Sequence, residues 1–156
     1  MKNGILVLFF LIGNLKVYSQ SCISTFRISD FNIIGDASIV SNEATLTPNS
    51  NIQSGMIWSN YKIDLDKNFS VDVDLYLGDD NNGADGIAFV IQPLSKDQGS
   101  LGGGIGYAGI VPSFAVEFDT YENLWADQTG QTDDHAAIII NGNTQSNHSA
   151  IAPFSN

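Results

Sequence analysis

The segment FSVDVDLYLG, residues 69–78, alternates apolar and polar residues without a break. Val71, Val73, Leu75 and Leu77 fall on one side, and Asp72, Asp74 and Tyr76 on the other. Successive side chains of an extended strand point to opposite faces, so a period of two buries one face and wets the other. A helix would scatter the same residues around its axis. Helical spacing is nearly absent after the first twenty residues, so the chain is read as all-β.

Other short runs fit the same plan. FNIIGDASIVSNEATLTP reads as an opening strand, a turn at Gly35–Asp36, a short strand and a further strand at Ala44–Thr47. SGMIWSNYKIDL predicts a strand whose bulky residues Met56, Trp58 and Tyr61 serve the core or a sheet face, with Trp58 and Phe89 read as core. Ile87–Ile91 and HAAIIING (His135–Gly142) are apolar on both faces, as in strands covered on two sides. GDDNNG (Gly78–Gly83) is a turn rather than an ion loop, and Asp72–Asp74 is the solvated face of its strand. Many short strands joined by Gly, Asn, Asp and Pro predict an antiparallel β-sandwich or jelly roll. The last stretch, NHSAIAPFSN, shows no closing strand pattern and its His148 reads as a surface residue. The expected sandwich is therefore incomplete, with residues 21–156 as its N-terminal part and further domains of a longer chain to follow.

The first twenty residues differ. Lys2 precedes the apolar run Ile5–Ile12, and polar residues lead on to small Ser19 and Ser21. This is the layout of a secretory signal peptide over residues 1–20. The run is short of the roughly 20 apolar residues that cross a bilayer, so membrane insertion is not expected. The protein is read as secreted, extracellular or at the cell surface. Cys22 is the only cysteine, so no disulfide can form within the chain. Stability must come from packing and from any bound metal.

Charge narrows the partners. Seventeen acidic residues stand against six basic ones, and cleavage of the leader would remove Lys2 and Lys16 from those six. Such a surface repels phosphate backbones and anionic lipid, which argues against nucleic acid as a partner. Divalent cations and neutral ligands remain.

SFAVEFDTYEN, residues 113–123, carries the chemistry. Phe114, Val116 and Phe118 are expected to anchor a strand in the core, with Glu117 and Asp119 on its other face. Residues two apart on a strand lie roughly 6–7 Å from each other, so both carboxylates can converge on one cation. Hard cations collect carboxylate and carbonyl oxygens, which the Tyr121 carbonyl, the Asn123 side chain and Asp127 offer next. Asp133, Asp134 and His135 follow, and an imidazole among oxygens suits a transition metal such as Mn2+ beside Ca2+. On spacing alone a solvated acidic turn without any ion fits as well. EFDTYE also has the E-x-D-x-x-E spacing of the catalytic acids of a family of retaining β-glucanases on a jelly roll. There Glu117 would be the nucleophile, Glu122 the acid/base and Asp119 their neighbour.

VEFDTYEN…D…DDHAAI resembles the metal-binding segment of the L-type, legume-lectin-like lectins. IIGDASI…NEATLT and SGMIWSNYKIDL resemble that family's early strands. ADGIAFVIQP resembles the strand opening with its sugar-binding aspartate, and GGGIGY its Gly-rich loop. The pieces occur in the family's order from about Phe26 to Ile151. The resemblance implies a concanavalin A-like sandwich that binds glycans and is not an enzyme. Asp85, joined to Ala84 by a cis peptide, would accept hydrogen bonds from sugar hydroxyls. Gly103 or Gly104 would donate a backbone N–H, and Asn123 would serve both Ca2+ and the sugar. Tyr121 would give Ca2+ its carbonyl, and its ring or that of Trp125 would stack on a sugar. Glu117, Asp119, Asp127 and His135 would hold the transition metal, with Asp119 and Asp127 shared with Ca2+. The spacing from Asp127 to His135 is longer than in the plant proteins, which leaves Asp127, Asp133 and Asp134 as competing ligands. A Ca2+-stabilised adhesin sandwich without a sugar site is the remaining alternative.

Overall fold

The computed structural model describes residues 5–8, 16–19, 27–40, 43–94, 102–123, 134–144 and 149–153. The described residues contain no α-helix. Eleven strands follow in chain order: β1 Ile5–Leu8, β2 Lys16–Ser19, β3 Phe31–Gly35, β4 Ser38–Val40, β5 Glu43–Thr45 and β6 Gly55–Ile63 come first. Then come β7 Phe69–Asp72, β8 Gly86–Gln92, β9 Phe114–Asp119, β10 His135–Ile140 and β11 Ser149–Pro153. Within the two compact units described next, all their pairings are antiparallel. One unit holds β1–β7 and the other β8–β11 with the Gly-rich loop.

In the first unit β6 lies between β1 and β3, Ile57 facing Ile33 and Trp58 facing Asn32 and Leu8. A strand flanked on both sides has no free edge, and its Met56, Ile57, Trp58 and Ser59 are all buried in succession. Trp58 is core, as expected, while Tyr61 is half exposed. β2 pairs with β7, and β4 with β5. The strands β1 and β2 fall within the segment read as a leader; its Ile, Leu, Val and Tyr residues carry strand propensity whatever its later fate. β7 ends at Asp72, yet the alternation of half-buried and exposed residues runs on through Leu77.

In the second unit the order is β8–β9–β10–β11. Its entry is the GDDNNG turn, closed by Gly83 N–H donating to the Asp80 carbonyl at 2.8 Å. Asp80 Oδ1 accepts from the Asn82 backbone and side chain, and the backbone bond leads in holding its carboxyl below the usual aspartate range. Three expectations need correction. β10 is covered on one face rather than two, since its Ile138 and Ile140 are exposed. The last stretch does form a strand, β11, because β10 offers it an edge that no local apolar pattern announces. The core face of β9 is also the reverse of the expected one. Ala115, Glu117 and Asp119 are buried, while Phe114, Val116 and Phe118 are only half buried. Tyr107 and Ile110 of the Gly-rich loop are buried, and the Tyr107 hydroxyl reaches Glu117, so this loop packs on the acidic face.

Candidate metal and ligand site

Glu117 and Asp119 stand on one face of β9, as a period of two requires. Register then supplies their surroundings. Asp119 is opposite His135 of β10 and Gly86 of β8, and Glu117 is opposite Ala137 and Ala88. Directly opposed residues have their Cβ atoms roughly 5 Å apart, so an imidazole meets a carboxylate while small neighbours leave room around both. One ligand atom each from Glu117, Asp119 and His135 lies within 4.8 Å of the others. All three residues are buried, at 1%, 4% and 6% exposure.

Two carboxylates in a low-dielectric pocket repel each other and lose their hydration, so they need positive charge or hydrogen-bond donors. The Tyr107 hydroxyl donates to Glu117 Oε2. Burial first, and then the neighbouring Glu117 and Asp119 charges, push the Tyr107 phenol far above the usual tyrosine range, so it keeps its proton. The Tyr121 N–H donates to Asp119 Oδ1 at 2.8 Å. Glu117 and His135 have further interactions, but their buried Oε1 and Nε2 atoms make no hydrogen bond. A buried set of two carboxylates and an imidazole matches the donors a divalent cation takes.

A second cluster adjoins the first through the chain that leaves β9. The Asn123 amide donates to Asp85 Oδ1 at 3.0 Å and to the Tyr121 carbonyl at 3.3 Å. The Ala84–Asp85 peptide is cis, and the Asp85 carbonyl accepts from Thr120 N–H at 3.0 Å. Gly103 closes the cluster from the Gly-rich loop. A Cβ there would lie 2.8–2.9 Å from the Asn123 side-chain atoms, so only glycine fits without displacing Asn123. Gly104 has another task, its carbonyl accepting from Tyr107 and Ala108 N–H at 3.0 and 2.9 Å.

The structure thus brings Asp85, Gly103 and Asn123 together, and separately Glu117, Asp119 and His135. Tyr121 is half exposed beside the first group. Asp134 is half buried just before β10 and lies outside the trio of converging ligands. Asp127, Asp133, Trp125 and His148 lie outside the described residues. Sequence reasoning assigned Tyr107 no role, although GGGIGY was singled out. Its signal was a lone hydroxyl in a run of glycine and aliphatic residues.

The model of the legume lectin beta-barrel domain, the L-type lectin domain, matches residues 23–154, and the chain belongs to this family. It is also similar to the pesticidal crystal protein Cry22Aa of Bacillus thuringiensis, 36% identical over 111 residues. That match covers 69% of this chain and 15% of the relative, so the chain spans a small part of that relative's length.

Proposed function

We propose that this chain is an exported carbohydrate-binding module, not an enzyme, whose sugar site is ordered by Ca2+. The convergence of Asp85, Gly103 and Asn123 beside the buried trio Glu117, Asp119 and His135 carries this reading. A sugar offers donors and acceptors in fixed directions, and the cluster answers with a carboxylate, a backbone N–H and an amide. The half-exposed Tyr121 ring adds an apolar face for stacking.

Ca2+ would be held by Asp119, the Tyr121 carbonyl and Asn123, with Asp127 completing the set. Glu117, Asp119, Asp127 or Asp134, and His135 suit a second ion such as Mn2+. The ion supplies fixed positive charge that offsets the carboxylates and holds the strand end in one shape. The leader-like N-terminus supports secretion or display at the cell surface.

Burial weighs against glucan hydrolysis. Retaining glycosidases need two carboxyls roughly 5–5.5 Å apart flanking the scissile bond. Glu117 is enclosed and bonded to Tyr107, whereas Glu122 is exposed. A glycan array probed with the full chain in Ca2+, followed by Glu122→Gln on any glycan bound, tests the reading. Retained binding without cleavage of the glycan is expected. Cleavage that disappears in Glu122→Gln would establish the hydrolase instead.

A further inference from the structure

The Gly-rich loop touches both clusters. One end, Gly103, presses on Asn123. Four residues on, Tyr107 crosses to the buried trio and donates to Glu117. Between these points the loop is a run of tight turns: Ile105 N–H donates to the Gly102 carbonyl at 2.8 Å, and Ile110 N–H to Tyr107 at 3.1 Å.

The far side of the loop is clamped to the end of β10. Gly109 N–H donates to the Gly142 carbonyl at 2.9 Å, and Asn141 N–H to the Ser113 carbonyl at 2.8 Å. The Asn141 side chain accepts from Ser113 N–H at 3.2 Å, and the Ser113 hydroxyl donates to the Ile110 carbonyl at 2.6 Å. At Gly142, with φ +59°, a Cβ would come within 2.6 Å of Gly109 N and 2.7 Å of the Tyr107 carbonyl. The backbone carrying Tyr107 is therefore held against the strand that carries His135.

A carboxylate can rotate about its last bond, and a donor fixed on one oxygen sets the direction of both. Groups that orient a metal ligand in this way typically change metal affinity 10- to 100-fold when removed. We infer that Tyr107 is a positioning residue of the metal centre: its phenol orients Glu117, and the loop it sits on ties that orientation to Gly103 at the sugar site. The inference rests on the metal reading above and adds a residue and a route to it.

The test compares the full wild-type chain with Tyr107→Phe, which removes one oxygen and keeps the ring. Ca2+ and Mn2+ binding are titrated by calorimetry, and melting temperatures are taken with and without metal. Tyr107→Phe should bind metal 10- to 100-fold more weakly, and the rise in melting temperature on adding metal should shrink accordingly. Ser113→Ala loosens the same loop without touching Glu117, and its metal affinity should stay within about twofold of wild type. Equal metal affinity in Tyr107→Phe and wild type overturns the inference and leaves the metal reading standing. An equal loss in both variants also overturns it, because loop stability then accounts for the effect. A wild type that takes up neither ion overturns the metal reading itself. Amide exchange of the wild type keeps the question open to refutation should Tyr107→Phe not fold. Residues 102–113 should gain protection when metal is added, and unchanged exchange there counts against the coupling.

Discussion

At Gly103 the room for the Asn123 side chain is set by one missing methyl group. A side chain there would displace Asn123, and overpacking of this kind costs about 1–3 kcal/mol. Gly103→Ala should therefore weaken glycan binding by about tenfold or more and weaken Ca2+ uptake with it, because Asn123 is a proposed ligand of that ion. Isothermal titration of both ligands reads the two effects separately. Asp85→Ala should abolish glycan binding and retain metal; unchanged binding would favour the adhesin without a sugar site. Tyr107 makes an alkaline prediction for the metal-free protein. Its pKa in the folded chain is raised above the unfolded value of about 10. The unfolded chain thus releases the proton first, so this contribution is fully present below about pH 10 and is lost as pH rises above it. Stability should fall more steeply there in wild type than in Tyr107→Phe, by up to about 1.4 kcal/mol per pH unit for one group. Parallel urea midpoints across pH 9–11 would contradict this.

At the scale of single elements, β9 and β10 show what local pattern can and cannot decide. Alternation located β9, and the continuous apolar runs Ile87–Ile91 and His135–Gly142 located β8 and β10, because period and composition are local properties. Which face turns inward is a tertiary property. Phe114, Val116 and Phe118 outweigh Ala115, Glu117 and Asp119 in hydrophobicity, yet the loop bearing Tyr107 covers the acidic face. The same limit hid β11, which takes its order from the edge of β10. It also left Gly103 and Gly104 indistinguishable until the turn around Gly104 was seen. Along β10, expected to be covered on both faces, the exposure of one face is directly measurable. Ala137 is fully enclosed and Ile138 is exposed. Ala137→Val should cost about 1–3 kcal/mol by overpacking, and Ile138→Thr less than about 1 kcal/mol. Chemical denaturation of both variants checks the order; a costlier Ile138→Thr would place the core on the other face.

At the scale of the whole molecule, net charge, cysteine content and the buried trio bear on one another. A formal charge of −11 opposes compaction, and a single cysteine excludes a disulfide within the chain to offset it. A divalent cation held among Glu117, Asp119 and His135, as proposed, would relieve that repulsion where the acids are most enclosed. In the proposed mechanism Ca2+, which shares Asp119 with that ion, orders Asn123, and through it the contact with Asp85. The dependence of glycan affinity on Ca2+ is therefore the most direct test. A glycan identified on the array is titrated into the full chain as purified, after removal of metal with EDTA, and after Ca2+ is restored. Binding should vanish on stripping and return with Ca2+; affinity unchanged by EDTA would contradict a metal-ordered sugar site.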